Sequence, residues 1–251
     1  MKRIITNYTI RSPLIPERIR LAVAPDIHSA PYGDVMENIT GCDALLIPGD
    51  LVDRHRRDNR IAFRFLQEVP QYLPVFFSLG NHEVKYREAE AFLDRVKQSR
   101  VTLLQDDSCG FKGIRIGGLS SRKKGPPDTD FLDRFEEEAG FRLLLCHHPE
   151  VYRDYVRGRR IDLTLCGHAH GGQIQICGRG LYAPGQGLFP KLTHGIHDGG
   201  KMILSRGMTN GAKPPTPRIN NPCELIILTL EHEEGGNEDG AGRYSASGGV
   251  V

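Results

Sequence analysis

The chain has 251 residues, of which 39% are hydrophobic, so it can bury a sizeable core within a single domain. Its 33 Lys and Arg residues nearly balance its 31 Asp and Glu residues, which leaves a net charge of +2. Proteins that neutralise many backbone phosphates carry a strong basic excess, so this charge balance argues against a nucleic-acid partner.

Two further features bear on the compartment in which the protein works. The six cysteines are widely separated and form no Cys-x-x-Cys pair, which is typical of reduced thiols. The sequence holds no run of about 18 apolar residues, the length that a transmembrane helix needs, and residues 1–10 contain no apolar stretch long enough for a signal peptide. We therefore predict a cytoplasmic protein with no transmembrane segment. Peripheral contact with a membrane is compatible with this prediction.

Apolar runs of strand length alternate with amphipathic segments through most of the chain. Tyr8 and Ile10 indicate an opening edge strand, and buried strands are predicted at residues 19–24, 44–47, 75–79, 114–119, 143–146 and 163–166. Helical spacing of apolar residues predicts helices over 61–69 and 89–96, with shorter ones at 128–138 and 150–156. This alternation predicts a layered α/β fold.

The character of the sequence changes after Gly171, where glycines become frequent and only short strands are predicted, near 202–204 and 225–230. We expect this second half to contribute a more antiparallel sheet. Residues 1–232 are predicted to form one domain. Residues 233–251 are rich in Gly, Ser, Asn and acidic side chains, so we predict a disordered tail there.

Five short motifs rich in metal-binding side chains accompany the predicted strands. In chain order they are Asp26-Ile27-His28, Gly49-Asp50-Leu51-Val52-Asp53, Gly80-Asn81-His82-Glu83, Cys146-His147-His148 and Gly167-His168-Ala169-His170. Ligand sites of open α/β sheets collect beyond the carboxyl ends of strands. Carboxylate, amide and imidazole donors suit divalent transition metals, and these motifs offer enough donors for two ions.

Each of these residues taken alone has an ordinary structural interpretation. A single buried histidine is usually a hydrogen-bonded core residue, and an aspartate after a strand is usually a helix cap. Gly49, Gly80 and Gly167, however, each stand one residue before a candidate ligand, where a close backbone approach would free that side chain to leave the sheet. The repeated arrangement favours a metal site.

In these motifs the sequence resembles the calcineurin-like metallophosphoesterase superfamily, whose pattern is D-x-H, G-D-x-x-D, G-N-H-(E/D), H and G-H-x-H. The resemblance runs from about Ile4 to Leu230. It is nearest to a bacterial branch with a G-H-x-H-G-G-Q ending, which is Gly167 to Gln173 here. The implied fold is a four-layer αββα sandwich of two mixed β-sheets flanked by helices.

The resemblance also implies a set of metal ligands. Asp26, His28, Asp50 and His170 would hold the first ion, and Asp50, Asn81, His147 and His168 would hold the second, so Asp50 would bridge the two. His147 is preferred over His148 because the family places its histidine directly after the strand. His148 is expected either to orient a ligand or to serve a structural purpose. The two cofactors would be divalent transition-metal ions, with manganese, iron and zinc left as alternatives.

The implied activity is that of a dinuclear metal-dependent phosphohydrolase, in which a metal-bridging hydroxide attacks phosphorus in line. His82 resembles the family histidine that protonates the leaving oxygen or stabilises the phosphoryl group. Asp53 and Glu83 are expected to orient loops rather than bind metal, and Cys146 and Cys166 to point away from the site.

The expected substrate is a small or lipid-linked phosphoester, which makes the enzyme a phosphodiesterase or pyrophosphatase. Lys191, His194 and Arg218 are further candidates for phosphate contact on a substrate rim expected from residues 185–197 and 214–218, within the loops of residues 185–218. The alternative is a non-catalytic metal-binding scaffold with the same fold. Superfamily members of that kind typically lack several ligands, whereas every expected position is filled here.

Overall fold

A computed structural model describes residues 3–211 and 217–234 and the backbone of Tyr244–Ser245. The strands are β1 Ile4–Ser12, β2 Ile19–Val23, β3 Ala44–Pro48, β4 Val75–Ser78, β5 Thr102–Leu103, β6 Asp107–Phe111, β7 Ile114–Leu119, β8 Arg142–Cys146, β9 Leu163–Cys166, β10 Gln175–Ile176, β11 Arg179–Gly180, β12 Tyr182–Ala183, β13 Gly187–Leu188, β14 Gly195–His197, β15 Met202–Leu204, β16 Glu224–His232 and β17 Tyr244–Ser245. The helices are α1 Gly33–Asn38, α2 Arg60–Glu68, α3 Asn81–Val84, α4 Ala89–Gln98, α5 Thr129–Phe135 and α6 Pro149–Val151, the last continuing as a π-turn over Tyr152–Val156. Short 3₁₀ turns occupy Val69–Gln71, His170–Gly172 and Asp198–Gly200.

Two large mixed sheets form the framework. The first has the strand order β17-β1-β16-β2-β3-β4-β5, in which β2 to β5 run parallel and β16 runs antiparallel to β2. The second has the order β14-β15-β9-β8-β7-β6, parallel from β15 to β7 and antiparallel at both edges. This agrees with the predicted pair of mixed sheets.

Alternate side chains of the strands divide the core into three apolar layers. Leu21 and Leu46 of the first sheet pack against the inner face of the second sheet, which includes Leu143 and Leu165. The opposite faces are covered by helices: α2 and α4 lie on the first sheet, and α5 with the π-turn lies on the second. Because strand residues alternate between faces, both sheets are buried on both sides, and the predicted four-layer αββα sandwich is confirmed.

The glycine-rich second half pairs mostly antiparallel, as expected, but it does not form a large sheet of its own. Its short hairpins β10–β11 and β12–β13 are antiparallel, as is the pair β14–β15. However, β15 lies parallel to β9 within the second sheet, and β16 inserts into the first sheet between β1 and β2. These strands join the two large sheets because local alternation reports which face of a strand is buried but not which neighbour the strand pairs with.

The predicted tail begins within the described residues, since Glu233 donates its backbone N–H to the carbonyl of Ser12. The short strand β17 pairs antiparallel with β1. Residues 235–243 and 246–251 lie outside the described residues, so the disordered tail stays a prediction. Among the helices of the described chain, none is long and apolar enough to cross a membrane.

The outer core of the first sheet offers a direct test of this packing. Phe77 of β4 is fully buried, and its ring lies 6.2 Å from that of Phe92 in α4. Phe77→Ala is expected to lower the free energy of unfolding by about 3 to 5 kcal/mol, because the helix cannot collapse onto the lost volume. Urea denaturation measures this, with Tyr72→Ala as control, since Tyr72 is 73% exposed and should change stability by less than about 0.5 kcal/mol.

Candidate metal centre

The side chains singled out from the five motifs meet where strands of both sheets end. Asp26 and His28 follow β2, Asp50 follows β3, and Asn81 opens α3 just beyond β4. From the second sheet, His147 follows β8 directly and His168 and His170 follow β9. All are buried except the half-buried His168. Because the two sheets face each other, their strand ends place these groups around one cleft.

Two carboxylates occupy the centre of this cluster. Oδ2 of Asp50 lies 3.1 Å from Nε2 of His147 and 3.8 Å from Nε2 of His28. Oδ1 of Asp26 lies 3.7 Å from Nε2 of His28 and 3.8 Å from Nε2 of His170. Most of these separations exceed hydrogen-bond length. They leave room for cations between the donors, and both Asp26-His28-His170 and Asp26-Asp50-His147 could hold a metal ion.

Unpartnered polar atoms provide a test of whether a metal fits here. Both ring nitrogens of His28 and Oδ1 of Asn81 are buried without a hydrogen-bond partner. Burying such groups unpaired costs free energy, so native proteins rarely tolerate it unless another partner is present. Two other histidines are oriented by backbone carbonyl groups. Nδ1 of His147 lies 2.8 Å from the carbonyl of Pro48, and Nδ1 of His170 lies 3.0 Å from that of Thr209. Their Nε2 atoms are thereby turned toward the carboxylates, as metal-binding histidines require.

The electrostatics of the cluster suit a bound cation. Burial alone would raise the pKa of Asp50, but the imidazoles of His147 and His82 outweigh it and hold that pKa well below its usual range. The same opposition holds the pKa of Asp26 low, with His170 the leading imidazole. Burial lowers the pKa of His170 to about 4, so its neutral, metal-binding form prevails near neutral pH.

The backbone that carries these donors is strained. Of the seven predicted ligands, five have positive φ angles between 48° and 69°, namely Asp26, His28, Asp50, His168 and His170. Side chains other than glycine rarely adopt this left-handed region, which costs of order 1 kcal/mol or more at each residue. Strain of this kind persists only when the surroundings impose it, and it clusters at functional sites.

Glu83 fixes the two loops that follow β3 and β4. Its buried carboxylate accepts hydrogen bonds from the backbone N–H groups of Asp50 (2.9 Å), Val52 (3.0 Å) and Gly80 (2.8 Å). These bonds tie the turn carrying Asp50 to the turn carrying Asn81. Glu83 therefore orients loops, in the manner expected of it from the sequence.

Two glycines allow these turns to approach each other. A Cβ atom on Gly80 would lie 2.2 Å from Oδ1 of Asp50 and 2.5 Å from its backbone nitrogen. A Cβ on Gly49 would lie 2.6 Å from Nδ1 of His147, and Gly49 also has φ +87°. No other residue fits at either position without displacing a candidate ligand.

His82 lies at the edge of the same cluster. Its Nε2 is 4.0 Å from Oδ2 of Asp50, and its Nδ1 is 3.3 Å from Oδ1 of Asp53 and 3.1 Å from the backbone nitrogen of Arg54. Asp53 is fully buried and also accepts the backbone N–H of His55, so it is held in place behind His82. With His28 and Asp50, His82 forms a further group whose donor atoms could hold a metal.

His148 contacts the second half of the cluster. Its ring centre lies 4.1 Å from that of His168, and its Nδ1 lies 3.1 Å from Oγ of Ser121. Burial and the neighbouring His147 lower its pKa to about 3. By contrast, Cys146 and Cys166 belong to the apolar layer beneath α5, which agrees with their predicted orientation away from the site.

The candidate site opens into a cavity of about 230 Å³. The sequence motifs missed one segment that closes it, residues 207–211. The backbone N–H of Thr209 donates to the carbonyl of Asp26, and a Cβ on Gly207 would lie 2.7 Å from Oδ2 of Asp26. The sequence signal was weak, because this contact uses main-chain groups and a glycine in a run without other metal-binding residues.

The three candidates for phosphate contact are dispersed. Arg218 lies behind His170, with Nη2 3.1 Å from the carbonyl of Thr209 and 3.2 Å from Nδ1 of His170. Lys191 lines a different cavity. His194 is engaged by the side chain of Gln175 at 2.9 Å. Arg54 and His55, in contrast, do line the cavity of the candidate site.

The family profile of the calcineurin-like phosphoesterases matches residues 19–172, which contain all five motifs. The chain belongs to this family. The match ends just after His170 and thus includes every strand end that contributes a candidate ligand.

Several known proteins are similar to this chain. A metallophosphoesterase of Campylobacter jejuni is 30% identical over 244 residues, which cover 90% of this chain and 63% of that protein. A metallophosphoesterase of Aquifex aeolicus is 26% identical, covering 90% of this chain and 91% of that protein. The phosphodiesterase YaeI of Escherichia coli is 28% identical over 145 residues, covering 53% of this chain and 51% of that protein. The chain thus spans less than two thirds of the Campylobacter relative.

The close approach at Gly80 gives a prediction about the site. Gly80→Ala should displace Asp50 or its loop, and should therefore lower both metal content and thermal stability. Elemental analysis and a thermal melt measure the two effects. Gly33→Ala is the matched control, because a Cβ there meets nothing within 4 Å. Equal metal content in the two variants would contradict the packing argument.

Proposed function

We propose that the protein is a dinuclear metal-dependent phosphohydrolase, most simply a phosphodiesterase. The observation that carries this proposal is the convergence of Asp26 and Asp50 with buried imidazoles whose facing nitrogens lie 3.1 to 3.9 Å from the carboxylate oxygens. Family membership supports the same class of reaction.

In this proposal Asp26, His28 and His170 hold one ion, and Asn81, His147 and His168 hold the other, with Asp50 shared between them. The position of Asp50 supports its shared role, since its Oδ2 faces His28 of the first set and His147 of the second. A carboxylate can contact two cations because its two oxygens offer several lone pairs. The unpartnered Oδ1 of Asn81 supports its place as an amide-oxygen ligand.

When bound, two divalent cations supply a hydroxide nucleophile at neutral pH and offset the charge on the phosphoryl oxygens. The residues of the chain then position the reacting groups. His82 lines the cavity and lies beside Asp50 without being needed in either ligand set. We assign it the role of protonating the leaving oxygen through Nε2, because its Nδ1 accepts the backbone N–H of Arg54 and Nε2 is the nitrogen left to donate.

The substrate is proposed to be a phosphodiester or pyrophosphate of a small or lipid-linked molecule. The E. coli relative named as a phosphodiesterase supports the diester reading. Arg54 on the cavity wall would favour an anionic substrate. The donor set combines carboxylate, amide and imidazole without thiolate, so it suits manganese, iron or zinc better than magnesium.

Asp50→Ala tests the metal site and the activity together. Wild-type protein loaded with manganese should hydrolyse bis(p-nitrophenyl) phosphate, and the variant should lose at least about 10³-fold in kcat/KM. Bound metal should also raise the Tm of the wild type by roughly 5 to 10 °C over the chelated protein, since it binds only the folded state. The variant should show little of this shift.

The matched control is Asp154→Ala, which removes an exposed carboxylate paired with Arg153. It should behave as the wild type in both assays. Metal-dependent stabilisation without hydrolysis of any diester, monoester or pyrophosphate by the wild type would instead favour the metal-binding scaffold.

His82→Ala tests the proposed acid through the leaving group. For a substrate with a poor alkoxide leaving group, we expect a loss of roughly 10² to 10⁴-fold in kcat. The loss should be much smaller with p-nitrophenolate, which departs without a proton. His232→Ala, at the distant end of β16, is the control. An equal loss for both substrates would argue that His82 binds metal or phosphate instead.

A further inference from the structure

Exposed apolar side chains are concentrated on the short hairpins beside the candidate metal centre. Within the described chain, the exposed large hydrophobic residues are Leu14, Tyr72, Tyr155, Ile176, Tyr182, Leu188, Phe189 and Ile219. Five of these eight lie between residues 176 and 219. Scattered exposed hydrophobic residues are ordinary, whereas a cluster of them marks an interaction surface.

Backbone pairing brings two members of the cluster together. Tyr182 and Leu188 are direct partners across the hairpin β12–β13, so their side chains share one face. The next residue, Phe189, donates its N–H to the carbonyl of Leu181 and is 72% exposed, while Leu188 is 68% exposed. Ile176 stands on the neighbouring hairpin β10–β11. We call Ile176, Tyr182, Leu188 and Phe189 the hairpin surface.

Basic side chains lie beside the hairpin surface at Phe189. A cavity of about 670 Å³ that Phe189 helps to line also contains Arg153, Arg157 and Lys191. Arg153 and Arg157 pair with the neighbouring acids Asp154 and Asp198. Lys191 makes no ion pair with any residue of the ranges 3–211 and 217–234.

Together, these apolar and basic side chains favour one kind of binding partner, a lipid surface. Apolar and aromatic tips bordered by Lys and Arg complement a lipid bilayer with anionic headgroups, where the apolar groups enter the headgroup boundary and the cations meet the negative surface. A stable protein partner would require a broader face of roughly 800 Å². Here Tyr182 and Leu188 lie on strands of two residues each.

We propose that the hairpin surface docks this protein on an anionic lipid surface. Tyr182 also lines the cavity of the candidate metal centre, so docking would bring the mouth of that cavity to the headgroups. Resting on the proposed function, this identifies the substrate class as an amphiphilic phosphoester held at a lipid–water interface. The docking itself requires no catalysis.

Sedimentation with vesicles tests the docking. The full chain is mixed with vesicles of phosphatidylcholine alone or with an equal share of phosphatidylglycerol, and the bound fraction is measured. We expect binding to the anionic vesicles that falls with added salt. Leu188→Asp combined with Phe189→Asp should weaken that binding at least about tenfold, because each loses apolar insertion and adds a repelled charge.

Matched controls separate the hairpin surface from general effects. Tyr72→Asp changes a side chain that is 73% exposed on the helical layer of the first sheet, and should bind vesicles as the wild type does. Lys191→Glu should weaken binding to anionic vesicles, whereas Lys97→Glu, exposed on α4, should not. The Leu188 and Phe189 variant should keep the wild-type Tm, because both side chains are exposed.

The outcomes distinguish this proposal from the proposed function. Absence of vesicle binding by the wild type, or equal loss in the hairpin and helical-layer variants, overturns the docking and leaves hydrolysis intact. Vesicle binding without hydrolysis upholds the docking and overturns the enzymatic role. A wild-type dimer in light scattering that the hairpin variant converts to monomer would show a second copy as the occupant, and would also overturn the proposal.

Discussion

Two buried carboxylates, Asp26 and Asp50, impose a constraint on the rest of the structure: their negative charge must be compensated inside the protein. Imidazoles reach them from both sheets, and the donor atoms stand at 3.1 to 3.9 Å. Isolated ionised carboxylates are very costly in an apolar interior. The strand ends of both sheets must therefore lie close together at this cleft. The apolar packing between the sheets holds them there.

The same constraint explains the unusual backbone near the cleft. A strand that simply continued would send its side chains alternately into the two sheet faces, away from the neighbouring strand ends. Left-handed residues at Asp26, Asp50 and His168 turn the chain sharply, so that the donors point along the strand direction into the cleft. Glu83 then ties two of these turns together through three backbone hydrogen bonds. The free energy gained by packing the apolar layers offsets the backbone strain of these turns.

Much of this organisation was predictable from the sequence. The buried strands and the helices over residues 61–69 and 89–96 follow from apolar periodicity, and the repeated glycine before Asp50, Asn81 and His168 signals the tight strand ends. Long-range pairing was not predictable: nothing local shows that β16 lies between β1 and β2. The role of residues 207–211 was hidden for a related reason, because the main-chain carbonyl of Thr209 holds His170 there and any sequence provides such a carbonyl.

The location of β16 has a consequence for how the molecule is made. All nine of its residues pair with β1, from which they are separated by more than 200 positions, and it also pairs with β2. Contacts so distant along the chain form slowly. During synthesis β1 and β2 lack the strand that lies between them, which we call the open seam, until residue 232 has emerged from the ribosome. We expect the nascent polypeptide to expose that seam to chaperones for most of its translation.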